Sequence, residues 1–392
     1  MFGKKRIYLD NASATPVLPR ALDAVYQAAT LYANPGGIHA DAVAAKKLLE
    51  ESRGRIASEL ACKAREVIFT SGLTESNALA LIGVARALER VRRSLEGTHW
   101  LVASVEHASV LECFSEIERL GGEVSYLEFD GNGIITPQQL SKQLRPETVL
   151  VSVGWANNET GVVQQLKDIS RTLRAHEKTH KTAVLLHSDA GQAPLYISPQ
   201  VHTLGVDLFA VGSGKLYGTR GIGCLYVSGR AHLTALVAGG GQERGLRGGT
   251  EDPALAAGFA EALGQVSAER SAEGKRLAEL RAELGKELVA RIPEAIINGS
   301  QKHILPHMLN ISIPGKKSGE YLALQLDRVG ISVSTKSACR EGEADSRVVK
   351  ALGGPDWRAK NTIRFSLGRD TKRADIKRVV EALTGLLAQK KA

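Results

Sequence analysis

Asp207-Leu-Phe-Ala-Val-Gly-Ser-Gly-Lys215-Leu-Tyr-Gly218 is an apolar, β-like run that delivers a lysine at its end. Upstream, a second apolar run closes as Leu185-Leu-His-Ser-Asp189 and delivers an aspartate. A strand-end lysine and a strand-end aspartate one short connection apart match the needs of a pyridoxal phosphate (PLP) site. The amine forms an imine with the aldehyde, and the carboxylate keeps the pyridine nitrogen protonated so that carbanions drain into the ring. Taken alone, a lysine such as Lys215 is most often a solvated surface charge. A nucleotide-binding P-loop does not fit, because its first glycine and its Ser/Thr fall on Phe209 and Leu216.

The same rhythm continues on both sides. Strands are expected at Glu66–Thr70, Trp100–Ser104, Glu123–Leu127, Val149–Val153, Ala183–Leu186, Leu208–Val211 and Gly223–Val227. Helical stretches at Glu75–Glu89, Ala108–Leu120 and Gln165–Lys178 separate several of them. This alternation predicts an α/β domain with a mostly parallel sheet, whose ligands bind beyond the carboxyl ends of the strands. From about Asp252 the texture changes to Ala/Glu/Arg/Leu-rich helix, expected to break at Gly274. Strands at Met308–Ile313, Ile331–Ser334 and Thr362–Ser366 follow, flanked by helices at Ser318–Asp327 and Lys372–Gln389, which predicts a smaller α+β domain. The expected division is residues 13–255 for the large domain, with 1–12 and 256–392 forming the small one.

Composition narrows the class. A chain of 392 residues is long enough for two domains, and 43% hydrophobic with 24% charged residues is ordinary for a globular protein. No apolar run is long enough for a membrane span. The start, Met1 to Asp10, lacks a signal-peptide core, so the expected location is cytoplasmic. The four cysteines are far apart with no Cys-x-x-Cys pair, which argues against zinc and against a disulfide framework. The net charge of +9 is scattered and only 5% of residues are aromatic, so no direct nucleic-acid binding is expected.

Further motifs fall at the predicted strand ends. Ser71-Gly-Leu-Thr-Glu-Ser-Asn77 passes from strand to helix, where backbone N–H groups favour an anion; a simple N-cap at Thr74 reads equally well. Glu106-His107 follows one strand, and an imidazole there can stack on a planar ring and carry protons near neutral pH. Asn157-Asn158-Glu159 follows another and otherwise reads as a turn.

With Leu9-Asp-Asn-Ala-Ser-Ala-Thr-Pro16, Asp189-Ala-Gly-Gln192, Gly239-Gly-Gly-Gln-Glu-Arg-Gly-Leu-Arg-Gly-Gly-Thr250, Ser337-Ala-Cys339 and Ile363-Arg-Phe-Ser-Leu-Gly368, these motifs occur in one order along nearly the whole chain. In that order they resemble the PLP-dependent cysteine desulfurases of the NifS/IscS type, of the class-V aminotransferase family. The resemblance implies the aspartate-aminotransferase-like fold (PLP fold type I) and conversion of L-cysteine to L-alanine with a persulfide on Cys339, supplying sulfur for iron–sulfur clusters, thio-cofactors or tRNA. It implies that Lys215 holds PLP, Asp189 pairs with the ring nitrogen, Asn158 and Gln192 contact the ring oxygen, and His107 stacks on the ring. Leu73 (through its backbone), Thr74 and Thr250 hold the phosphate, with Thr250 coming from the partner of a homodimer. Arg364, assisted by Asn34, takes the substrate carboxylate. A sulfur-acceptor protein is the implied partner.

Cys339 sits in a polar stretch between Lys336 and Arg340, a setting that favours thiolate, whereas Cys62, Cys113 and Cys224 lie in apolar contexts. The chain departs from the family beside its lysine. Gly212-Ser213-Gly214 stands where Ser-Gly-His is usual, so two side-chain contacts to phosphate are expected to be missing and Ser213 is the one left to supply a hydroxyl. Two alternatives stay open on sequence alone: a selenocysteine lyase or other PLP β-lyase, and a PLP-poor scaffold homologue.

Overall fold

The computed structural model describes residues 6–336 and 345–388. After a short strand β1 (Ile7–Tyr8), the chain builds a seven-stranded sheet. Its strands are β2 (Val67–Thr70), β3 (His99–Ala103), β4 (Glu123–Leu127), β5 (Thr148–Ser152), β6 (Leu185–Asp189), β7 (Leu208–Gly212) and β8 (Gly223–Val227). Their order is β2-β8-β7-β6-β5-β3-β4. β8 runs antiparallel to both neighbours, and the other pairs are parallel. This is the mostly parallel mixed sheet that the sequence predicts.

Residues alternate between the two faces along each strand, and both faces are covered. Phe209 and Val211 enter one core with Leu101, Val151 and Leu186. Leu208 and Ala210 enter the other with Trp100, Val102 and Leu150. Burial on both sides explains why these strands read as continuous apolar runs. β3 lies between β4 and β5, so the strand order reverses there and opens a crevice at the carboxyl ends.

The helix expected to break at Gly274 is continuous over Pro253–Arg291. A single glycine costs a helix about 1 kcal/mol, and burial on both sides of it outweighs that. Ala256, Phe259, Leu263 and Val266 pack into the large-domain core, whereas Leu277, Leu280, Leu284 and Leu288 pack into a third core. The change of core therefore falls inside this helix. The third core surrounds β9 (Ile296–Ile297), β10 (Met308–Ser312), β11 (Ile331–Ser332) and β12 (Thr362–Ser366). β10 pairs antiparallel with β9 and β12, while β1 pairs parallel with β11 and brings the N-terminal segment to this domain. No helix among the described residues is long and apolar enough to cross a membrane.

Candidate active site

A cavity of about 230 Å³ opens at the strand-order reversal. Its walls include Leu73, Thr74, His107, Asn158, Asp189, Gln192, Lys215 and Arg364. Most come from turns and helix starts that follow strands of the large sheet, and Arg364 comes from β12 of the three-stranded sheet.

Asp189 is the last residue of β6. Its Oδ1 accepts from the Gly191 N–H at 2.8 Å and its Oδ2 from Asn77 Nδ2 at 2.7 Å. The second proton of that amide goes to Ser109 Oγ at 3.0 Å, which lies 2.9 Å from His107 Nδ1. His107 is itself the N-cap of the Ala108–Arg119 helix. Its Nδ1 accepts from the Ser109 N–H at 3.1 Å, which places the proton of the neutral ring on Nε2. One hydrogen-bonded chain thus fixes both the carboxylate and the imidazole. Asn77 closes the Ser71–Asn77 motif, and its position one helical turn after Leu73 is the sequence signal for this role.

Lys215 closes the short turn that follows β7. Its Nζ donates to Ala12 O at 2.9 Å and to Ser13 O at 2.6 Å. Gln192 Nε2 donates to the same Ala12 O at 2.8 Å, while Gln192 Oε1 is buried without a partner. The helix beginning at Leu73 has Gly72 as N-cap and no side-chain cap, so the expected N-cap at Thr74 is not formed. Its first N–H groups are left for an anion at the cavity wall. An amine, a fixed carboxylate and an uncapped helix start fit the aldehyde, ring nitrogen and phosphate of PLP.

Arg364 lies in the middle of β12, where alternation sends Ile363 and Phe365 into the small core and Arg364 to the cavity. The side chain is 1% exposed and pairs with Asp10 at 2.6 Å.

Several expected residues are elsewhere. Ser213 is fully buried and its Oγ has no partner. A side chain at Gly218 would come within 2.1 Å of it, so the hydroxyl is turned under the lysine turn and away from the cavity wall. A Cβ at residue 212 would in turn meet Leu73 Cβ at 3.0 Å, which accounts for glycine there. Asn34 is exposed, its Oδ1 accepting from the Gly36 N–H at 2.9 Å, and Thr250 is exposed in its loop; neither lines the cavity. Cys339 and Arg340 lie outside the described residues. Lys336, on one side of that stretch, pairs with Glu320 at 3.0 Å. Ser346, on the other, donates to Glu159 Oε2 at 2.6 Å. Lys336 and Ser346 line a smaller pocket together with His107 and Asn158.

Glu106 is a site residue to which the sequence reading gave no role of its own. It lines the cavity, and its Oε1 accepts from the Gly154 N–H at 2.6 Å. A side chain on Gly154 would meet Oε2 at 2.8 Å, so glycine permits the approach. Burial pushes the Glu106 carboxyl from 4.5 up to about 8; the Gly154 bond opposes the rise and the Asp189 charge adds to it. A folded-state value above the unfolded one means the native protein binds the proton more tightly, so stability falls as pH rises between about 4.5 and about 8. Glu106→Gln, permanently neutral, is expected to gain on the wild type across that window, by on the order of 2 kcal/mol at its upper end. Urea unfolding at pH 5 and pH 8 checks this; an unchanged difference between the two proteins would refute it.

Comparison with known proteins gives the family of the chain. The model of the family "Aminotransferase class-V" matches residues 7–379. A cysteine desulfurase IscS of Dictyoglomus turgidum is 35% identical over 386 residues, covering 98% of this chain and 95% of its own. A solved structure described as a NifS-like protein superposes with a TM-score of 0.89 at 30% identity, covering 98% of this chain and 99% of the other. Another, described as SspA in complex with cysteine, gives 0.78 at 29% identity and covers 92% and 98%. The chain belongs to the class-V aminotransferases, enzymes that depend on PLP. Within them its place is among the cysteine desulfurases of the NifS/IscS type.

Proposed function

We propose that this enzyme converts L-cysteine to L-alanine and holds the released sulfur as a persulfide on Cys339, for transfer to an acceptor protein that feeds iron–sulfur cluster, thio-cofactor or tRNA synthesis. The observation that carries the reading is one cavity lined by Lys215, Asp189, His107 and Arg364, with both flanks of the Cys339 stretch beside it. PLP, when bound, supplies the electron sink for a carbanion at the substrate's Cα.

The residues divide the remaining work. Arg364 takes the α-carboxylate, to which a planar guanidinium is suited. Asp189, held by Asn77 and Gly191, would pair with the ring nitrogen. Lys215 Nζ, between two backbone carbonyls, would take the Cα proton and later return it to Cα, and His107 Nε2 would carry a proton beside the ring. The Cys339 thiolate attacks the substrate sulfur. The Cβ–Sγ bond breaks, its electron pair and a proton go to carbon to give the methyl of alanine, and the sulfur remains on Cys339 as a persulfide, with no outside oxidant. The other three cysteines are poor candidates. Burial pushes the Cys62 and Cys113 thiols up to about 12 and raises Cys224 further.

A homodimer is part of the reading. Tyr32 and Ile38, 91% and 98% exposed, flank the exposed Asn34, and a second copy covering that face would bury them and present Thr250 across the interface. A working thiol needs a reducing compartment, which supports a cytoplasmic setting.

Alanine and sulfide measured from L-cysteine, with mass spectrometry for a persulfide on Cys339, test the whole reading. Cys339→Ser is expected to lower sulfur release by about 100-fold or more and to abolish the mass increment. Full sulfur release by that variant would instead identify a β-lyase.

A further inference from the structure

The five residues from Asp10 to Ala14 touch both cations of the cavity. Arg364 Nη2 donates to Asp10 Oδ1 and to Ser13 Oγ, each at 2.6 Å, and Ser13 Oγ donates in turn to Asp10 Oδ1 at 2.9 Å. Arg364 Nη1 donates to Asn158 O at 2.8 Å. The backbone of the same segment supplies Ala12 O and Ser13 O to Lys215 Nζ. The segment is pinned from outside as well. Asp10 bridges to Ser366, Ala12 N donates to Ser366 Oγ at 2.9 Å, and Tyr8 Oη donates to Ala14 O at 2.8 Å.

A guanidinium has five N–H donors. Three are used here, and Nε is buried without a partner. Ser13 lines the cavity and Asp10 does not. The Asp10 carboxylate therefore holds the guanidinium from behind, and the cavity side keeps one Nη1 proton plus the Nη2 proton now on the Ser13 hydroxyl. That hydroxyl is the neutral group that a ligand carboxylate replaces.

We propose that Asp10 is a positioning residue for Arg364. With Ser13 it forms a brace that fixes the carboxylate-binding guanidinium relative to the Lys215 amine, so that the site selects ligands carrying amine and carboxylate on one carbon. The inference rests on the reading of Arg364 as the carboxylate-binding residue. A buried guanidinium that loses its counter-charge is no longer held in one orientation, and the loss falls on ligands through their carboxylate alone.

The test compares L-alanine with ethylamine, the same amine with and without the carboxylate, by calorimetric titration of the holoenzyme, together with the KM for L-cysteine. Asp10→Ala is expected to lower the preference for L-alanine over ethylamine by about tenfold, the size of one charge-assisted hydrogen bond. KM for L-cysteine rises in step while kcat changes less, and Asp10→Asn, which keeps the acceptor and loses the charge, recovers part of the loss. Arg364→Ala is the reference. If it abolishes the preference and Asp10→Ala leaves it intact, the brace is wrong and the reading of Arg364 stands. If Arg364→Ala itself leaves the preference intact, the underlying reading fails. Equal losses for L-alanine and ethylamine in a folded Asp10→Ala enzyme would make Asp10 structural and overturn the proposal.

Discussion

Lys215→Ala is expected to leave a folded protein that turns over L-cysteine at less than about one thousandth of the wild-type rate. Among the described residues, Lys215 is the only lysine on the cavity wall, so no neighbouring amine takes over the imine or the Cα proton. The fold tolerates the change, because the Ala12 and Ser13 carbonyls that Nζ bonds lie in a segment held by separate bonds to Ser366. Borohydride treatment, read by mass spectrometry, is expected to fix PLP to the wild type and not to the variant. A variant that keeps a tenth of wild-type activity would move the covalent role away from Lys215.

The second large effect is on stability. Glu243→Ala is expected to cost about 3–5 kcal/mol, the range for removing one partner of a buried ion pair. Glu243 is 1% exposed at its side chain and Arg53 is 8% exposed. Their two parallel bonds are both 2.7 Å long. The same carboxylate accepts the Phe69 N–H at 2.8 Å, and the guanidinium stacks 4.6 Å from the Phe69 ring centroid. The variant leaves a strand N–H without its partner and a buried cation held only by Glu50 and the Val67 carbonyl. Glu243 and Arg244 also hold left-handed backbone, φ 46° and 59°, a conformation that non-glycine residues keep only when surrounding contacts impose it. The pair is thus the anchor of the glycine-rich loop that carries Thr250. Urea unfolding of the variant checks the cost, and Arg53→Met combined with Glu243→Leu should regain part of it. A loss below about 1 kcal/mol would show the pair to be dispensable.

Much of the fold was legible because burial on both faces leaves a local mark. Leu208–Val211 is apolar on both faces and Val149–Val153 is apolar apart from Ser152, and both became strands of the sheet. Gly274 misled because helix propensity is a local quantity, whereas two separate cores hold that helix straight. Ser213 misled for a related reason: a hydroxyl beside the lysine says nothing about which way the turn rotates it.

The sequence by itself determined the order of strands and helices, the placement of Asp189, His107, Asn158 and Lys215 at strand ends, and, through resemblance, the chemistry these residues serve. Local alternation and turn residues encode such features within a few positions of the chain. The partnerships were decided only by tertiary structure. Asn77 joins Asp189 to His107 through Ser109, Glu106 rests on the Gly154 backbone, and Asp10 reaches Arg364 across 354 residues. The first two depend on the seven-stranded sheet, where β3 lies between β4 and β5, and the third on the N-terminal segment, where β1 pairs with β11 and Asp10 bridges to Ser366. Packing of whole elements sets that arrangement, and no short window of sequence contains it.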